Sequence, residues 1–354
     1  MVTARGYAAT APDQDLAPFS FERREPQAGD VQIEILYCGI CHSDLHQARN
    51  DWQNSIYPMV PGHEIVGRVT AIGKDVKKVA VGDLVGVGCM VDSCHTCENC
   101  QDGLEQYCVE GPTWTYNATE RDGSGRTQGG YSDVIVAREH FVVKVPENLD
   151  LKGVPPLLCA GITLYSPLRH WKAGPGKKVG IIGLGGLGHM GVKLAKAMGA
   201  HVVMITTSPE KGKDALRLGA DEVLLSKDPE QLKKHAGSFH LLVDTIPNGH
   251  DLNPYCSLLK RDGTIVIVGA LMALEPALYG GSLIGQRVSV AGSAIGGIAE
   301  TQEMLDFCGQ HNIISDVEMV NIQDVNQAYE RLIKNDVRYR FVIDMESLKA
   351  SSKS

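Results

Sequence analysis

The 354-residue chain offers little that would take it to nucleic acid or into a membrane. Lys and Arg together number 34 against 42 Asp and Glu, a formal net charge of −8. That balance supplies no surplus of cations for phosphates, and argues against nucleic acid or an anionic membrane surface as main partner. Long apolar runs are missing as well. The stretch from Gly153 to Leu168 is broken by Pro155, Pro156 and Pro167, so no membrane span is expected. The opening MVTARGYAATAPDQDLAPFSF holds no apolar h-region, so no secretory signal is expected and the chain reads as cytoplasmic. No internal repeat is visible, and low complexity is confined to the Ser/Lys tip at 351–354.

What is present is a globular composition, 43% hydrophobic and 21% charged. At ~150 residues per domain this length gives two domains, each able to bury its own core. Ten cysteines in a chain of this kind point to metal ligation more than to disulfides. Four of them, Cys94, Cys97, Cys100 and Cys108, are spaced C-x2-C-x2-C-x7-C. Four thiolates so close together can close a tetrahedral shell, the pattern of a structural zinc. Their segment, VDSCHTCENCQDGLEQYC, carries Asp92, Glu98, Asp102 and Glu105 but no Lys or Arg. A nucleic-acid zinc module is therefore improbable, and a stabilising lobe is the better reading.

A second pattern is dispersed: Cys41 in GICHSDLH, His63 in VPGHE and Cys159 in PLLCAGIT. Three protein ligands leave a fourth position for water or substrate, the pattern of a catalytic zinc. Two thiolates and a neutral imidazole leave such a site formally neutral and the metal still a Lewis acid. Glu64 follows His63 directly, placed either to orient the site or to enter the coordination shell. The remaining Cys38, Cys89, Cys256 and Cys308 read as small buried apolar residues. Ser43 and His46 follow Cys41 closely. A hydroxyl beside a metal can pass on an alcohol proton, an imidazole can hand it to water, and Asp51 can hold that imidazole. Their plainer reading is a polar turn.

Texture changes along the chain. Residues 1 to about 150 carry short β-type runs broken by Gly, Pro and Asp, such as VQIEILYCGI, EIVGRVTAIG and GDLVGVGCM, suggesting a small barrel or sandwich. From about 154 strands and helices alternate: KKVGIIG, then a helix over GLGHMGVKLAKAMG, HVVMITT, the helix SPEKGKDALRLG, EVLLS, a short helix to His235, HLLVDTI, a helix from Leu252 to Leu259, TIVIVG and RVSVAGS. This is the order of a doubly wound parallel sheet. The tail returns to helices and one strand, RYRFVIDM. The expected layout is therefore discontinuous, with residues 1–153 and 292–354 forming one domain and 154–291 an inserted nucleotide domain.

Gly183-Leu184-Gly185-Gly186-Leu187-Gly188 fits G-x-G-x-x-G between a strand and a helix, the context that a pyrophosphate site requires. The next strand decides the cofactor. An NAD site wants an acid there, for the ribose 2′-OH. Here it ends Thr206-Thr207-Ser208, with Lys211 close behind. Hydroxyls and a lysine suit a 2′-phosphate, so NADP(H) is expected. The same hydroxyls also suit capping of the next helix.

Taken together, GICHSDLHQ, YPMVPGHEIVG, VGDLVGVGCMVDSC, GGYSDVIV, PLLCAGITLYSPLRHW, GLGGLGHMGVKLAKAMGAHV, SLLKRDGT, GSAIGG and NDVRYRFVIDM resemble the zinc-dependent medium-chain alcohol dehydrogenases, specifically the cinnamyl alcohol dehydrogenase group. The ligand set of two cysteines and one histidine belongs to alcohol dehydrogenase. The resemblance implies an α/β chain with a β-rich, GroES-like catalytic barrel carrying both zincs, a Rossmann domain, and an active site in the cleft between them. It implies NADPH-linked reduction of aldehydes to primary alcohols, and a homodimer; the tryptophans and aliphatic residues favour apolar aldehydes, aromatic or medium-chain. By residue, it implies Cys41, His63 and Cys159 on catalytic zinc with Glu64 beside it, the four clustered cysteines on structural zinc, and Ser43 and His46 in a proton relay. Cofactor contacts are implied for Ser43, Thr163, the 183–188 loop, Thr206, Thr207, Ser208, Lys211, Gly269, Ser293, Ala294 and Ile295. Trp52, Trp114 and Ile295 are implied to line the substrate pocket. The insertion ATERDGSGRTQ before Gly129 is less regular than the family pattern. Two rivals share the scaffold: an NAD-linked zinc polyol dehydrogenase, and a non-catalytic nucleotide-binding protein.

Overall fold

A computed structural model describes residues 1–350, and the Ser/Lys tip at 351–354 lies outside the described residues. The chain forms two compact units, residues 1–159 with 296–354, and residues 160–295. Both boundaries fall a few residues beyond 153 and 291. Packing explains the shift. The turn Pro155–Leu158 packs against the strand Asp30–Ile40 of the first unit, and Ser293 still bonds the Ile267 carbonyl of the second unit's sheet at 3.2 Å.

The first unit is built on a seven-stranded sheet. Its path runs Val317–Asn321, Arg340–Asp344, Asp30–Ile40, Ile65–Ile72, Leu84–Val87 and Val142–Lys144, with Val134–Arg138 also on Asp30–Ile40. Alternation makes the long strand: Val31, Ile33 and Ile35 are buried while Gln32 and Glu34 reach partway to solvent. The register shifts between Ile35 and Tyr37, as at a β-bulge, and beyond it Cys38, Gly39 and Ile40 are all buried. The strand thus delivers Cys41, its next residue, from the interior. The tail contributes two strands where the pattern showed one. Val317–Asn321 lies at the sheet edge, where half-buried V-E-M-V-N gives only a weak period-2 signal.

The second unit is a six-stranded parallel sheet in the order Glu222–Leu225, His201–Thr206, Lys178–Ile182, Phe239–Asp244, Leu259–Ile267, Ser289–Gly292. Numbered along the chain this is 3-2-1-4-5-6, the doubly wound dinucleotide order, reversing between Lys178–Ile182 and Phe239–Asp244. Two details depart from the sequence pattern. The helix read over Leu252–Leu259 is a single turn, Asn253–Cys256, because Leu259 pairs with Phe239 and opens the next strand. An unforeseen helix, Ala160–His170, contains Pro167 and is buried almost all round, which erases the amphipathic period.

Candidate functional site

Two donor groups stand out among the described residues, both in the first unit: Cys94, Cys97, Cys100 and Cys108, and Cys41, His63, Glu64 and Cys159. In each, one ligand atom per residue lies within 4.8 Å of all the others.

The compact group is shaped by its own backbone. Cys94 and Cys97 Sγ lie 3.8 and 3.5 Å from Cys100 Sγ. Thiolates at tetrahedral zinc stand about 3.8 Å apart. Amides feed the sulfurs: Cys97 N–H donates to Cys94 Sγ at 3.3 Å, Cys94 N–H to Cys108 Sγ at 3.4 Å, and Val109 N–H to Cys97 Sγ at 3.5 Å. Backbone N–H groups of Cys97 and Thr96 draw the Cys94 thiol down to about 6, while burial pushes Cys100 up to about 12. The lobe is tied to the rest of its unit by Glu105. Its carboxylate accepts from His140 Nε2 at 2.6 Å and from the Ile298 amide at 3.0 Å, at the start of the helix Ile298–His311. An anion there complements the helix dipole.

The dispersed group comes from three turns. Cys41 is the N-cap of the helix His42–Ala48. His63 and Glu64 precede the strand Ile65–Ile72, and Cys159 ends the turn Pro155–Leu158. His63 Nε2 stands 3.3 Å from Cys159 Sγ, against about 3.6 Å for nitrogen and sulfur on one tetrahedral zinc. On its other side, His63 Nδ1 meets Asp44 Oδ1 at 3.0 Å. Asp44 thereby accepts from Nδ1–H, which leaves the Nε2 lone pair for a metal.

Charge is concentrated here. A hydrogen bond with Cys159 holds the Cys41 thiol well below its usual range, aided by the Arg340 guanidinium. Cys159 is driven the other way by its bonds with Cys41 and Cys89. Burial pushes the Glu64 carboxyl up, to about 7, against the pull of Arg340. Glu64 Oε1 accepts from Arg340 Nη2, whereas its Oε2 is buried and has no hydrogen-bond partner. A Cβ at Gly39 would lie 1.9 Å from that oxygen, so only glycine leaves room for it. Two thiols, a correctly oriented imidazole and an orphaned carboxylate oxygen fit zinc.

The helix after Cys41 carries the relay candidates. Ser43 and His46 are three residues apart and share a face. His46 Nδ1 meets Asp51 Oδ2 at 2.7 Å, and both side chains reach solvent. The Trp52 ring lies 5.8 Å from that of His46 and is 39% exposed. Trp114 is 42% exposed, in a two-residue strand paired with Met90. The insertion at 118–128 is more ordered than its composition implies: Glu120 N–H donates to the Gly125 carbonyl at 2.9 Å, and Ala118 pairs with Thr127.

In the second unit the cofactor candidates cluster on one edge. The 183–188 loop, Thr206 to Ser208, Gly269 and Ser293 to Ile295 all follow carboxyl ends of parallel strands. Three of the four loop glycines have a clear reason. Gly183 has φ +89°, a Cβ at Gly185 would meet no atom within 4 Å, and one at Gly188 would strike the Gly183 carbonyl at 1.9 Å. These are a turn, an open approach for a pyrophosphate, and close helix–strand packing. Ser208 caps the helix Pro209–Arg217, accepting from the Lys211 amide at 3.3 Å, so capping is one real role of these hydroxyls. Thr207 and Lys211 are exposed. Thr163 lies in the helix Ala160–His170, and Pro167 lacks the N–H that would have met its carbonyl. Ile295 adopts φ +37°, rare for a β-branched residue.

From the sequence alone, three residues beside the dispersed group receive no role at the site. Asp44 is one, although its spacing from Cys41 makes a capping box with the Cys41 amide. Arg340 is another, 276 residues from its partner Glu64 with no local signal. Cys89 corrects an expectation: unlike the buried Cys38, Cys256 and Cys308 it is half-buried, and a hydrogen bond with Cys159 draws its thiol down.

Comparison with known proteins adds to this geometry. Residues 27–147 match the alcohol dehydrogenase GroES-like domain and residues 186–310 the zinc-binding dehydrogenase domain. The chain is 54% identical over 345 residues to aldehyde reductase YahK of Escherichia coli (strain K12), covering 97% of this chain and 99% of that protein. Among solved structures it resembles a cinnamyl alcohol dehydrogenase of Sorghum bicolor, with TM-score 0.93, 49% identity and 98% of each chain covered. It also resembles the Helicobacter pylori CAD complexed with NADP(H), with TM-score 0.88, 40% identity, and 98% of this chain and 99% of that one covered.

Proposed function

The chain belongs to the zinc-dependent medium-chain alcohol dehydrogenases, in the cinnamyl alcohol dehydrogenase and aldehyde reductase group, and from that membership we propose that it reduces aromatic or medium-chain aldehydes to primary alcohols with NADPH. The observation that carries this reading is the donor group of Cys41, His63 and Cys159 with Glu64 beside it; three protein ligands would leave a fourth position for water or substrate. When bound, zinc supplies a Lewis acid for the carbonyl oxygen and NADPH supplies the hydride.

The protein's own residues do the rest. Cys41, His63 and Cys159 hold the metal, and Asp44 orients His63. Glu64, held by Arg340, keeps one oxygen free beside the donors. Ser43 passes a proton to the product oxygen and is reprotonated by way of His46, which is braced by Asp51 and recovers its proton from water. Trp52 and Trp114 offer apolar surface to an aldehyde. Cys94, Cys97, Cys100 and Cys108 hold a second, structural zinc.

Cofactor choice rests on the second strand. Thr206, Thr207 and Ser208 stand where an acid would repel a 2′-phosphate, and Lys211 is exposed beside them. The 183–188 loop takes the pyrophosphate, with Thr163, Gly269 and the Ser293–Ile295 segment along the rest of the dinucleotide. We place the enzyme in the cytoplasm as a homodimer. Among the described residues no helix is long and apolar enough to cross a membrane. The terminal strand Ser289–Gly292 and the exposed Leu271, Tyr279 and Ile284 offer a self-association surface.

A panel of aromatic, aliphatic and sugar-derived substrates, run with NADPH and NADH, tests the proposal. Faster turnover of apolar aldehydes with NADPH is expected. Preference for NADH, or for polyol oxidation over aldehyde reduction, would overturn it.

A further inference from the structure

Behind His63 stands a carboxylate that no solvent reaches. Asp44 is 0% exposed, and its oxygens collect four donors. Oδ1 accepts from the Gly62 amide and from His63 Nδ1, each at 3.0 Å. Oδ2 accepts from the Cys41 amide at 2.9 Å and from the Tyr131 hydroxyl at 3.3 Å. A carboxylate offers about four lone-pair positions, and the buried Tyr116 hydroxyl also reaches Asp44.

The Tyr131 hydroxyl has a further partner of its own. Its oxygen accepts from Tyr329 OH at 3.5 Å, and both rings are buried. Neither ring is free to drift. Tyr131 N–H donates to the Pro61 carbonyl at 2.9 Å. A Cβ on Gly62 would stand 2.7 Å from Tyr131 Cδ1, so the ring lies flush on the residue preceding His63. Tyr329 arrives from the distant helix Val325–Ile333.

We propose that Tyr131 and Tyr329 are positioning residues for the catalytic metal, acting in series through Asp44 on His63. By accepting from Tyr329, the Tyr131 hydroxyl is turned so that its proton points at Asp44 Oδ2. That bond fixes the rotation of the carboxylate. The rotation sets Oδ1 opposite His63 Nδ1, which fixes the tautomer and the aim of Nε2. Groups behind a metal-bound histidine tune metal affinity in this way. The inference rests on reading Cys41, His63 and Cys159 as zinc ligands.

The test is zinc release to a chromogenic chelator from the wild-type protein and from Tyr131→Phe, Tyr329→Phe and the double variant. The phase belonging to the dispersed site is identified by its loss in Cys159→Ala. Phenylalanine keeps the ring volume, and the four-cysteine zinc serves as internal control. In Tyr131→Phe the dispersed-site phase should quicken about 3- to 10-fold, short of the 10–100-fold typical of groups that touch a ligand directly. Tyr329→Phe should have a smaller effect, and the double variant should match Tyr131→Phe, because Tyr329 acts only through Tyr131. Cobalt substitution adds a visible spectrum that should shift in Tyr131→Phe. Wild-type release rates in both single variants would overturn the inference and leave the zinc reading intact. A wild-type protein carrying only the four-cysteine zinc would overturn the zinc reading itself. Should Tyr131→Phe fail to fold, Tyr329→Phe, further from the metal, decides by the same measurement.

Discussion

The two donor groups hold similar atoms in opposite ways. The compact one spans Cys94 to Cys108, and neighbouring amides shape it. The dispersed one gathers Cys41, His63 and Cys159; one support, Asp44, sits on the helix that Cys41 caps, and the other, Arg340, comes from the far end of the chain. A local group needs only its own loop to form. A dispersed one needs the whole seven-stranded sheet, and in exchange the sheet can leave a position open and surround it with buried charge. The first arrangement suits a metal that stabilises, the second a metal that reacts.

Replacing a ligand in each group draws the contrast most sharply. Cys159→Ala should lower turnover by about 10³-fold or more, since Lewis-acid stabilisation is worth several kcal/mol, while thermal stability changes little. Cys100→Ala should do the reverse, lowering Tm by several degrees with residual turnover in the protein that stays folded. Steady-state kinetics and calorimetry on the two variants read both effects; equal loss of Tm in both would erase the distinction.

A smaller effect is expected at the exposed end of the dispersed site. His46→Gln should lower kcat about tenfold and flatten its pH profile, because water can replace part of the relay. An unchanged profile would remove His46 from the mechanism.

The smallest effect lies in the second unit, where neither donor group sits. Burial and then Lys178 draw His235 below its usual range, with Glu222 opposing, while Lys234 and His201 also face it. Burial and then Lys260 and Lys177 draw His240 down likewise. Both imidazoles therefore stay neutral in the fold at a pH where the unfolded chain, with His near 6.5, takes up protons. The contribution of these two histidines to stability is full above about pH 6.5 and is lost as pH drops towards their folded values. His235→Gln should shallow the fall of Tm between pH 7 and 5 without altering metal content.

Legibility in the sequence followed the same divide. The cysteine spacing and the glycine loop could be read because contacts and sequence neighbours coincide there. Asp44 was partly legible, since its distance from Cys41 is a helix-capping spacing. Arg340 was not, because the antiparallel pairing of Arg340–Asp344 with Asp30–Ile40 brings it home from the far end of the chain. The helix Ala160–His170 was hidden by burial on all sides, and Leu259 by a cross-strand partner that local propensity cannot see. Cys89 looked like an inert core thiol because nothing local ties it to Cys159.

The central claim is that Cys41, His63 and Cys159 hold a metal distinct from the one held by the four clustered cysteines. Elemental analysis of the purified protein beside Cys159→Ala addresses it directly. The expected result is two zinc ions per chain, falling to one in the variant. One zinc in the wild type, or two retained without Cys159, would contradict it.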